Sequence, residues 1–392
     1  MIQQHYYTRD KKGVYSNTPG YDTVGKSINL EDDFIVDVLH NLCFYEAPSI
    51  LAGEEDILKY PQALFCVNTE DNKIIIGQSV FAGKDYTGNR NRYFTHSYII
   101  SEKEREDYIE NPEKIIYLKG FVDNYDVDKG KIIPEVLETR VGKNTESFSS
   151  IDEMFSKTGI EKKAFKKLIT ASFNAALYGK KIYIVLDCEP KDLNNISKEI
   201  LTYLYRCIPF EVRRKIGFIT YMKEPQNKDL INLMFLNKGS IKRLTTEIKA
   251  GYVFNFADNN FYLEDLDGEH SFTDFITDNI DKVDKLNDFF KTVDQFNMKN
   301  KLDIQEYDSI TDFIHSQGDN CYIEDMEVKY KEFLNINKKK NNLNESLECH
   351  EFAEKDENSH NHCNKNMENK SKKYILAMKK LIKRIKNFCK RK

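Results

Sequence analysis

No stretch of this 392-residue chain approaches the roughly 18 apolar residues that a membrane-spanning helix requires, so no such helix is expected. Met1 to Asp10 also lacks the basic-then-apolar pattern of a secretory signal, and the cytoplasm is the expected compartment. Cysteines are few and solitary. The eight stand at positions 43, 66, 188, 207, 321, 349, 363 and 389 without repeated close spacing, which excludes a disulfide framework and predicts reduced thiols. Cys43 and Cys66 sit among apolar residues and are expected to be inert core thiols. Acid is missing from one end: Lys370 to Lys392 holds eleven Lys or Arg and no Asp or Glu. Residues 1–369 therefore carry 48 bases against 63 acids, a net −15 hidden beneath the overall −4. Such a body is a poor general nucleic-acid binder, whereas the tail suits an anionic surface.

What is present suffices for sizeable cores. With 40% hydrophobic and 31% charged residues, the chain is expected to fold as two domains with extensions. The expected class is α+β. A strand-rich N-terminal domain over 1–141 carries one long helix, and a mixed α/β middle domain with a helical extension covers 151–335. A disordered linker over 336–371 and a basic amphipathic helix over 372–392 complete the chain.

In the first domain, Ile2 to Thr8, Lys73 to Phe81 and Arg92 to Ser101 read as strands, the last two joined by a hairpin-like loop over Gly83 to Asn91. The helix is expected over Leu30 to Phe44, capped by Asn29 and packing through Phe34, Val38 and Leu42. In the second, Phe165 to Leu177 traces a helical face closed by Gly179, and the next helix, from Leu193 to Cys207, is ended by Pro209. Strand-like runs follow at Lys181 to Leu186, Ile216 to Met222, Leu230 to Leu236 and Tyr252 to Phe256, and helices are expected from Phe272 to Leu334.

Gly20 to Ser27, GYDTVGKS, matches the G-x-x-x-x-G-K-[ST] phosphate loop in full. Its context argues against nucleotide. The approach, Tyr15 to Pro19, is polar and ends in a proline unsuited to a central strand. Downstream, Glu31, Asp32 and Asp33 would repel a triphosphate. Ile182 to Asp187 has the form of a Walker B strand, but four apolar residues before an Asp also describe an ordinary buried parallel strand. A P-loop NTPase using Lys26, Ser27 and Asp187 stands as the alternative function.

The segment Thr87 to Tyr98 is the first place to look for a binding surface. Arg90 and Arg92 offer guanidinium forks for a carboxylate or phosphate, although a solvated turn uses the same residues. His96 shares a strand face with Phe94 and Tyr98 and reads as a hydrogen-bonded core histidine before it reads as a catalyst; Ser97 points the other way, a poor geometry for a nucleophile pair. Tyr6, Tyr7, Arg9, Tyr21 and Asp22 join that loop in an aromatic-lined pocket if the first strand pairs with the sheet centre. Arg213 and Arg214 suit an acidic partner or a helix C-terminus. Cys349, His350, His360, His362 and Cys363 match no common structural metal spacing, and no cofactor or metal is expected. In the tail, Lys379, Lys380, Lys383, Arg384 and Lys386 flank the apolar face of Ile375, Met378, Leu381, Ile382, Ile385 and Phe388, an arrangement for anionic lipid, an acidic partner or the chain's own body.

Tyr7-Thr8-Arg9-Asp10, Gly13 to Val24 with Lys26-Ser27, Ala47-Pro48, Thr87 to Arg90 and Phe94 to Tyr98 resemble the N-terminal domain, second type, of the bacterial GTPase-associated protein 1 family. Phe165 to Phe235, with Ile208 to Arg214, Gly217-Phe218 and Thr220-Tyr221, is similar to that family's middle domain. The resemblance implies an accessory component of a GTPase-linked conflict or signalling system, a GTPase or other system protein as partner, and no assigned reaction. It departs from the family at the C-terminus, where no third domain is recognisable.

Overall fold

The computed structural model describes residues 1–142, 148–266, 268–294, 298 and 300–317, with isolated positions between 330 and 335. The expected linker over 336–371, the basic helix over 372–392 with Lys379, Lys380, Lys383, Arg384 and Lys386, and the Cys349 to Cys363 ligand set lie outside the described residues. Among the described residues no helix is long and apolar enough to cross a membrane.

The chain is α+β. Its first segment opens with β1 (Gln3–Asp10) and β2 (Gly20–Ser27), then a helical run in which α1 (Asp32–Phe34) passes through a π-helical stretch (Ile35–Leu39) into α2 (His40–Leu42). There follow β3 (Ala63–Asn68), β4 (Ile74–Lys84), β5 (Asn91–Ile100), α3 (Glu102–Glu110), α4 (Glu113–Ile116), β6 (Leu118–Lys119), β7 (Ile132–Ile133) and β8 (Arg140–Val141). The second segment holds α5 (Ile151–Thr158), α6 (Lys162–Tyr178), β9 (Ile182–Leu186), α7 (Pro190–Cys207), α8 (Phe210–Arg213), β10 (Phe218–Met222) and β11 (Leu233–Asn237). It continues with α9 (Thr246–Lys249), β12 (Tyr252–Asn255), β13 (Asn260–Tyr262), α10 (Ser271–Asp278), α11 (Val283–Asp294) and α12 (Ile304–Gln317).

One eleven-stranded sheet runs through both segments in the order β13-β12-β9-β11-β10-β3-β4-β5-β1-β2-β7. Strands β12, β9, β11 and β10 are parallel, and β9 is buried at every position, as a strand covered on both faces must be. The β3, β4, β5, β1, β2 half is antiparallel. The halves meet where β3 pairs antiparallel with β10 at Phe218↔Cys66 and Ile219↔Phe65. Beside that pairing, the Leu64 N–H is taken by the Thr220 hydroxyl at 2.8 Å, which donates in turn to Asn194 Oδ1 of α7 at 2.7 Å. A side chain thus completes the ladder where the backbone register does not.

Arg213 ties the same junction. Fully buried, its guanidinium donates to the carbonyls of Ile208 (2.9 Å) and Ile109 (3.0 Å), the latter at the C-terminal end of α3, and stacks on Phe210 and Phe290. Of the two roles the sequence allowed it, helix-end closure is the one observed, although the helix belongs to the other segment. Arg214 pairs with Glu106, Glu211 and Asp294.

One local expectation differs from the structure. The helix begins at Asp32 after an extended Glu31, and Asn29 makes no cap but reaches Glu135. Its inward face is Ile35, Leu39 and Leu42, while Phe34 and Val38 are only half-buried, because the wider π turn rotates the stripe. The octet Gly20–Ser27 is a strand, paired along Tyr7↔Thr23, Thr8↔Asp22 and Arg9↔Tyr21.

Candidate functional site

Alternation along β1 sends His5, Tyr7 and Arg9 to one sheet face and Gln4, Tyr6 and Thr8 to the other. The second face is core: Tyr6, Val24, Val80, Phe94 and Ile133 pack together there. On the first face, neighbouring strands set Tyr21 and Tyr93 beside Tyr7. The Tyr21 and Tyr93 rings stack at 4.4 Å, and Tyr7 lies 6.0 Å from Tyr21 and 6.3 Å from Tyr93 with its ring roughly parallel to both. All three are half-buried.

The ladder has a charged end and a polar floor. Arg9 lies over the Tyr21 ring at 6.0 Å, and its Nε donates to Asp85 Oδ2 at 3.0 Å. Asp85 also accepts from the Thr87 hydroxyl at 2.6 Å; that bond and the Arg9 guanidinium hold its carboxyl down at about 2. Beneath Tyr7, the Thr23 hydroxyl bridges His5 Nε2 (2.8 Å) and His40 Nε2 (2.9 Å), His40 being delivered by the first residue after the π stretch. Burial pushes the Tyr7 hydroxyl up to about 12, with Cys43, Asp22 and Tyr21 adding to it, and burial lowers His40. These groups stay neutral near pH 7, so the floor offers hydrogen bonds rather than charge.

The sequence-derived candidates are only partly brought together. Tyr7, Arg9 and Tyr21 converge, whereas strand alternation turns Tyr6 into the core on the opposite face. Asp22 borders them but is engaged internally, its Oδ2 accepting the N–H groups of Tyr15 (3.0 Å) and Ser16 (2.7 Å) to shape the loop between β1 and β2. Gly13 completes that loop, since a Cβ there would stand 2.1 Å from the same oxygen. Arg90 is exposed at the β4–β5 hairpin, and Arg92 turns toward the Ala82 carbonyl (3.4 Å) and Asp10 (3.9 Å). His96 is fully buried on the opposite face. Its Nε2 donates to Gln4 Oε1 at 3.0 Å and its Nδ1 accepts the Val122 N–H at 3.1 Å, so both ring nitrogens are committed within the chain.

Tyr93, Asp85 and His40 belong to this candidate site and were missed by sequence reasoning. Tyr93 was legible from the period of β5, which places it on the face of Thr95 and Ser97, across from the His96 stripe. His40 carried no such signal, because its position depends on the π turn.

The apparent phosphate loop has none of the required geometry. Lys26 Nζ bonds the Leu30 carbonyl and Asp32 Oδ1, each at 2.6 Å, and no helix starts at the lysine. Asp187, the Walker B candidate, pairs with Lys238 at 2.8 Å on the surface.

The described N-terminal segment thus presents a half-exposed, stacked aromatic face closed by an ion pair on an α+β scaffold. Residues 1–139 match the family model for GTPase-associated protein 1, N-terminal domain type 2, and residues 154–258 match that for GTPase-associated protein 1, middle domain. The chain belongs to the GTPase-associated protein 1 family. No curated protein matches it.

Proposed function

We propose that the chain is a non-enzymatic adaptor or regulatory component of a GTPase-linked bacterial conflict or signalling system, and that its N-terminal segment engages a partner through the tyrosine ladder. The observation that carries this reading is the convergence of Tyr7, Tyr21 and Tyr93 into one half-exposed stack ended by Arg9. Stacked tyrosines with two side-chain torsions each present a large, rigid contact area at low entropic cost, and a guanidinium at the end fixes orientation. The nearest thiol, Cys43, is buried and pushed well above the ordinary thiol range by that burial, which favours recognition over nucleophilic chemistry at this face. The family's name supplies the GTPase association.

The test is affinity capture from the native host with wild type and Tyr21→Ala. Recovery of a GTPase or neighbouring system protein by wild type, reduced at least about tenfold in the variant, is expected. Capture of no NTPase by wild type, or equal capture by both chains, refutes the reading.

A further inference from the structure

Away from the ladder, a cavity of about 410 Å³ opens beyond the carboxyl ends of β9, β10 and β11. The chain leaves β9 through α7 for β10, which lies beyond β11; it then returns to β11 and passes on to β12, on the other flank of β9. The direction of winding therefore reverses beside β9. In open α/β sheets, that reversal leaves a crevice at the strand ends where ligands bind.

The crevice wall has two chemistries. Tyr221, Pro190 and Ile50 give it apolar surface, and Lys223, Lys238 and Lys242 give it positive charge. Lys223 and Lys242 reach their own carboxylate partners, Glu46 and Glu224, only at 3.7 Å, with partners more than half exposed, so an incoming anion competes easily. Asn237 closes the floor, its Nδ2 donating to the Cys188 carbonyl at 3.0 Å. Burial pushes the Cys188 thiol up to about 12, with Asp192, Asp187 and Glu189 adding to it, which keeps the sulfur protonated and makes the crevice a binding site rather than a nucleophilic one.

We propose that this cavity binds a small metabolite joining a phosphate to a planar body, the chemistry of a nucleoside monophosphate. The lysines take the phosphate and the apolar wall takes the flat body. Glu189 and Glu224 on the same rim oppose the added charge of a triphosphate. Because Ile50 comes from the first family segment and the other lining groups named from the second, the ligand contacts both.

The test is calorimetric titration of the full chain with AMP and GMP, and with inorganic phosphate and GTP as separate arms. Saturable binding of a monophosphate at or below about 1 mM is expected, tighter than GTP and tighter than inorganic phosphate. The double variant Lys223→Ala/Lys242→Ala should lose at least about tenfold in affinity, while Lys162→Ala binds as wild type does. Thermal melting confirms that the double variant is folded. The proposal is overturned if neither monophosphate titrates, if the double variant binds equally well, or if inorganic phosphate binds as tightly as the nucleotides. Loss of partner capture by Tyr21→Ala bears on the ladder alone, so the two readings fail separately.

Discussion

Acidification offers a direct test of the buried histidines. His5 and His96 are each fully buried, and each is pushed down to about 3, burial being the first cause in both and His40, His96 and Lys26 adding to it for His5. At His96 a proton on Nδ1 would also confront the Val122 N–H, a donor with nothing to accept it. In the unfolded chain both rings take up protons from about pH 6.5 downward, whereas in the folded chain they do so only near 3. The stability they contribute is complete above 6.5 and is lost as pH falls through that window, at about 1.4 kcal/mol per pH unit for each ring. Between pH 7 and 5 each costs about 2 kcal/mol, or about 4 kcal/mol together. Stopping at 5 avoids most carboxylate titration. Urea midpoints of wild type and His96→Gln at pH 7, 6 and 5 measure this. The variant should be less stable at pH 7 but should lose roughly half as much on acidification. Parallel curves for the two proteins, or a wild type indifferent to pH over this range, would refute the reasoning.

Three further outcomes follow from the same coordinates. Arg213→Met should cost about 3–5 kcal/mol in urea unfolding, because it strands the Ile208 and Ile109 carbonyls in a dry junction; a loss under 1 kcal/mol would show that water reaches them. Gly77→Ala should destabilise by about 1–3 kcal/mol, since its Cβ would stand 2.1 Å from Phe65 Cζ, and Phe65→Leu in the same chain should recover part of it. Lys26→Ala should leave fluorescent-nucleotide binding unchanged; a magnesium-dependent loss of tight binding would revive the phosphate loop.

Elements were legible where local period matched environment. The strands at residues 3–10, 74–84 and 91–100, the helix closed by Gly179 and the buried strand at 182–186 all follow from alternation, capping or apolar runs. Strand β2 was obscured by its own composition: two glycines and a lysine imitate a loop, and only pairing with β1 makes Tyr21, Thr23 and Val24 a strand. The β3–β10 pairing joins residues some 150 positions apart and leaves no local signature. At the site, Tyr7, Arg9 and Tyr21 were found because they lie on strands whose period is visible. His96 is the hydrogen-bonded core histidine its strand face implied, and it lies across the sheet from Tyr93.

The shared sheet has a consequence for dissecting this protein. Cutting the chain between the two matched segments would separate β3 from β10 and bare two long-buried rows of amide and carbonyl groups, flanked by Leu64, Phe65, Val67, Phe218 and Ile219. Raw strand margins of that composition recruit other chains. Either half produced alone should therefore stick to itself in solution, and co-expression of the halves should rescue both.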